Sequence, residues 1–85
     1  MEEIYIGSKG LRAYIMACIQ GLSNEDAIKI LARGTNVKKA IDVAEIVRRQ
    51  TTDLESVVNI DSEEYNDRYV STIAITLKPE NLKIE

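Results

Sequence analysis

Residues 3–6 (Glu-Ile-Tyr-Ile) alternate polar and β-favouring apolar side chains and stop at Gly7, which predicts a short strand. Beyond it the apolar residues fall at Leu11, Tyr14, Ile15, Cys18 and Ile19. That is helical spacing, with Gly21 the expected C-cap and Ser23–Asp26 a turn. Residues 27–32 (Ala-Ile-Lys-Ile-Leu-Ala) predict a second, largely buried strand closed by Arg33 and Gly34. Thr35 or Asn36 is placed to cap a helix running to about residue 50. Residues 56–60 read as a third strand, Asp61 to Asp67 as a polar turn, and 69–77 as a fourth strand ended by Pro79. In that fourth strand Ile73, Ile75 and Leu77 share one face, and Thr72, Ala74 and Thr76 the other. The order β-α-β-α-β-β predicts an α/β two-layer sandwich, a four-stranded mixed sheet with two helices, as one domain over residues 1–85.

The second helix changes the picture. At about 100° per residue, Val37, Ala40, Ile41, Val43, Ala44 and Val47 form one apolar arc, and Ile46 widens it to roughly 220°. One sheet needs a narrower stripe, so a twin subunit is expected on the remainder, with Val43, Ile46 and Val47 as candidate dimer-interface residues. Length points the same way. A chain this short buries only about 60–65% of its unfolded surface, and association is one remedy. Disulfides and metals are the others, but Cys18 is the single cysteine and histidine is absent, so no metal or cofactor is expected. The lone thiol, the acidic Glu2 and Glu3 at the start, and apolar runs far shorter than a bilayer span together predict a soluble, cytoplasmic protein off the membrane.

Charge is divided along the chain. Residues 7–50 carry eight basic groups against four acids, whereas residues 51–85 carry eight acids against three bases. The overall charge is −3. One face built for anions fits this asymmetry, and so does a solvated acidic tail. Two loops bear on the choice. Gly7-Ser8-Lys9-Gly10 leads the first strand into the first helix, where free backbone N–H groups and a lysine make a phosphate seat. Arg33-Gly34-Thr35-Asn36 repeats the arrangement before the second helix. A plain glycine turn is the alternative for each. The spacing GxxxxGK[ST] is absent, so nucleotide hydrolysis has no support.

The run Ile4-Tyr-Ile-Gly-Ser-Lys-Gly followed by Tyr14 resembles the opening of Alba-family proteins, an apolar strand followed by Gly-Lys-Lys-Pro. Ala32-Arg33-Gly34, Lys39-Ala40-Ile41-Asp42 and Glu45-Ile46-Val47-Arg48 resemble the family's second signature, and Val70-Ser71-Thr72-Ile73 the start of its last strand. The similarity spans essentially the whole chain. It implies a homodimer that binds DNA or RNA through basic loops and a flexible hairpin arm, with Lys9, Arg33 and Lys39 as retained binding cations. Arg12 and Lys38 are extra cations near the same surface, and Arg68 is the one cation of the arm Asp61–Arg68.

Departures from the family pattern are specific. A loop lysine, modified in some members, is Ser8 here, and the second arginine of the Arg-Gly-Arg turn is Thr35. The arm is short and acidic, and a phenylalanine often found after the second helix is Thr51, which counts against side-by-side packing of dimers. Tyr65 on the arm is placed to stack on a base or simply to lie exposed in a turn. Without histidine no ordinary triad or imidazole base exists, Cys18 lies on an apolar helix face, and Glu63 and Glu64 read as a solvated turn, so no enzyme is expected. The functional expectation is a non-enzymatic, nucleoid- or RNA-associated dimer making phosphate contacts with little sequence reading. Alternatives are an acidic interaction module that heterodimerises with a basic paralogue, and a protein subunit of the ribonuclease P type.

Overall fold

A computed structural model describes residues 1–80 of the chain. Its elements are β1 (Glu2–Tyr5), α1 (Leu11–Asn24), β2 (Ile28–Arg33), a 3₁₀ turn at Gly34–Asn36, α2 (Val37–Gln50), β3 (Leu54–Tyr65) and β4 (Arg68–Pro79). The order is the one the sequence predicts. In the sheet the strands lie β1-β2-β4-β3, with β1 and β2 parallel and the other pairs antiparallel. Parallel neighbours need a long crossover, which α1 supplies.

Alternation along each strand divides the sheet into two faces. Ile4, Ile30 and Ile75 stand side by side in register, as do Ile28 and Leu77, and all are buried. Tyr14 and Cys18 of α1 and Ala40, Val43, Ala44 and Val47 of α2 close over them as one core. Tyr5, Leu31, Ala74 and Asn59 form a row on the opposite face, which carries no helix. Each fully buried aliphatic chain contributes about 1.5–3 kcal/mol, and the largest of them, Ile28, Ile30, Ile75 and Leu77, come from the two inner strands β2 and β4.

Four local expectations are corrected. Gly21 is not a cap: α1 continues to Asn24, and a Cβ on Gly21 would stand 3.0 Å from Ile28 Cγ2 and 3.3 Å from Glu2 Cδ. Glycine is there because α1 crosses β2 at close range. Asn36 occupies the N-cap of α2, but after a 3₁₀ turn and with no side-chain cap bond. Asp61–Tyr65 is strand rather than turn, because β4 pairs with β3 all the way to Tyr65↔Arg68. Only Asn66 and Asp67 turn, at φ 49° and 63°, the twin positive values of a tight two-residue hairpin. Finally, Val43 and Val47 are fully buried in the subunit's own core and have no surface to give a partner.

Candidate nucleic-acid interface

Because β1 and β2 run parallel and side by side, the loops that follow them leave the same end of the sheet. Lys9 and Arg12 come from the first loop and the start of α1, Arg33 from the end of β2, and Lys38 and Lys39 from the first turn of α2. Lys39 Nζ donates to Gly7 O at 2.8 Å and Lys9 O at 2.9 Å, so the start of α2 lies directly against the first loop. The two loops therefore form one basic edge, with Gly7, Ser8, Gly10 and Gly34 in its backbone.

The first loop is strapped. Tyr14 Oη accepts the N–H of Gly7 at 2.8 Å and that of Lys9 at 3.1 Å, and the Lys39 ammonium stands 5.8 Å above the Tyr14 ring centroid. Two of the loop's four N–H groups are thus spent inside the protein, and a phosphate would meet Ser8, Gly10 and the first turn of α1 instead. Lys39 uses two of its three donors on carbonyls. It positions the loop before it offers charge to anything else. Sequence reasoning ranked it with the free cations; its partners lie about 30 residues away in the chain and leave no local signal.

Arg33 is held differently. Its guanidinium is 67% exposed and lies 4.0 Å from Glu63 on β3, with Thr72 of β4 between the two strands. A pair so exposed is worth little, at most about 1 kcal/mol, so the arginine remains available. Gly34 follows at φ +61°, a left-handed backbone that favours glycine, and turns the chain away from the sheet. Lys38 pairs with Asp42 at 3.0 Å on the flank of α2. Among the described residues Lys9, Arg12 and Arg68 join no ion pair. Arg68 lies at the hairpin tip with Tyr65, exposed and apart from the strapped loop.

Cys18 is buried in the core, where desolvation, aided by the Glu2 carboxylate, pushes its thiol up to about 12. No three-residue acidic or cysteine cluster suited to a metal is found among the described residues. No helix there is long and apolar enough to cross a membrane.

A two-layer sandwich with paired basic loops at the ends of parallel strands defines a small architecture with one basic edge. The Alba family model matches residues 2–64, and the chain belongs to that family. It is 41% identical to DNA/RNA-binding protein Alba of Nanoarchaeum equitans, over 91% of this chain and 97% of that one. It is 33% identical to the protein of the same name from Nitrosopumilus maritimus, over 91% and 90% of the two chains. Among solved structures, Alba from Thermoplasma volcanium superposes with a TM-score of 0.72 at 33% identity, covering 91% of this chain and 99% of that chain. ALBA1 from Trypanosoma brucei shares the fold at 16% identity, with a TM-score of 0.79 over 94% of this chain and 70% of its own.

Proposed function

We propose that this protein binds DNA or RNA, without catalysis, through phosphate contacts made by Lys9, Arg12 and Arg33 at the basic edge. The observation that carries the reading is the convergence of both strand–helix loops on one end of the sheet, tied together by Lys39. The relatives' names support the ligand class. An overall charge of −3 offers no long-range attraction, so the local field of the loops does the holding. Screening confines that field to about 8 Å at physiological ionic strength. Affinity is therefore micromolar or weaker near physiological salt and falls steeply as salt rises, with about 0.9 of log–log slope for each duplex phosphate contacted. Titration of duplex DNA, duplex RNA and single strands at several salt concentrations tests this. Absence of binding to all three at low salt would end the reading.

The binding species is a homodimer. Ile41 on α2 and Val58 and Ile60 on the helix-side face of β3 are 43%, 49% and 70% exposed, and we infer that they share one apolar patch on the helix side of the sheet. Ile46 lies two turns from Lys39 and so on the α1 side of the helix, away from that patch. Ile41 therefore takes the place that Val43, Ile46 and Val47 hold in the sequence reading. A second reading, pairing with a basic paralogue through the same patch, is favoured by the contact of Glu63 with Arg33, which sets an acid against the chain's own binding cation.

A further inference from the structure

β4 outruns β2. The last pair between them is Arg33↔Thr72, yet β4 begins at Arg68 and is paired only with β3 from there to Ser71. One edge of this stretch therefore has no neighbouring strand, and its backbone donors and acceptors are free. Gly34 and Thr35, turning away from the sheet, close the gap into an open concavity of ≈ 400 Å³ lined by Arg68, Tyr69, Val70, Ser71 and the two loop residues. Tyr69 is 75% exposed, far more than a ring held for packing.

We propose that this concavity takes one unpaired nucleotide that straddles the bare edge of β4, its base on the Tyr69 ring at the helix side of the sheet and its phosphate on the Arg68 guanidinium at the other. The proposal rests on the reading of the protein as a nucleic-acid binder and deepens it. A π-face, a guanidinium free of ion pairs among the described residues, two hydroxyls (Thr35 and Ser71) and an open backbone edge are the groups that a splayed base and its phosphate require. Glu64 stands opposite Tyr69 across the ladder, so negative charge is unwelcome beside the ring and the phosphate is directed to Arg68. The larger hollow on the helix-free face is a poorer seat, since Asp61 and Glu63 line it against a single cation, Arg33. A base locked in a duplex cannot reach the ring, so the site confers a preference for single-stranded segments next to the basic edge.

The test compares the full-length protein with Tyr69→Ala and Tyr69→Phe on a short oligo-uridine, an abasic single strand of equal length and a duplex DNA. Tyr69→Ala should weaken oligo-uridine binding about tenfold, the scale of one stacked base, while Tyr69→Phe keeps it. Both variants should leave the abasic strand and the duplex within twofold of the parent. Equal losses on all three ligands, or no loss on oligo-uridine, would overturn the site while leaving duplex binding at the loops intact. Tyr69-dependent binding of an extended peptide, with oligo-uridine unaffected, would assign the edge to strand addition by a protein and overturn the site as well. Binding to none of the nucleic acids would remove the underlying function and this site together.

Discussion

The two strand–helix loops read alike in sequence, each a glycine beside a cation after a parallel strand, but the fold treats them oppositely. The first is fixed by four hydrogen bonds to Tyr14 and Lys39, reaching in from both helices. The second has a single exposed contact to Glu63 and one left-handed glycine. Preorganised groups lose less on binding, whereas mobile ones adapt. The first loop is thus a strapped platform, whereas the second is a clasp whose backbone is held by the β2–β4 ladder and a 3₁₀ turn and whose arginine head alone is loosely tethered. A sequence motif names candidates for binding, and the long-range partners decide which candidates are structural.

Replacing Arg33 by Glu breaks the comparison most severely. It removes the clasp's cation and sets a carboxylate near Glu63, and nucleic-acid binding should be nearly abolished in a filter or anisotropy assay. Intact affinity would shift the binding role to the first loop or to a partner chain. Tyr14→Phe should leave two N–H groups without their acceptor. Loss of about 1–3 kcal/mol, seen as a lower melting temperature, is expected, with a weaker effect on affinity than Arg33→Glu. Ile60→Glu, and separately Ile41→Glu, should shift the protein toward monomer in sedimentation, because each places a charge in the apolar patch. A stable monomer for the parent at micromolar concentration would retire the dimer. Glu63→Gln should free the clasp and tighten binding a few-fold at low salt, an effect that fades as salt rises. The smallest change is expected from Thr51→Phe, which should increase clustering of dimers along long DNA; steep cooperative curves from the parent would contradict it.

Most of the architecture was legible because burial imposes a period. Ile73, Ile75 and Leu77 announce an inner strand, and Val43 and Val47 announce a core-facing helix face. The arm was misread because Asp61–Tyr65 is exposed on both faces and carries no such period; its strand state comes from the ladder to Arg68–Thr72. A helical wheel measured how wide the apolar arc of α2 is. It does not say which flank lies against α1 and which is left bare, so on the wheel the core residues Val43 and Val47 look no different from the exposed Ile41. Sequence names the cations by type, but the employment of Lys39 inside the protein depends on a contact no local pattern encodes.

Cys18 has a practical consequence. With no exposed surface and a thiol pushed up to about 12, it reacts with alkylating reagents only when the core opens. As the only thiol in the chain, it gives one unambiguous labelling signal. When reclosing outpaces modification, the labelling rate reports the population of open molecules, and under faster modification it reports the opening rate itself. The same residue thus serves as a built-in clock, readable by mass without introducing a probe, for how often α1 lifts from the sheet and whether added nucleic acid changes that rate.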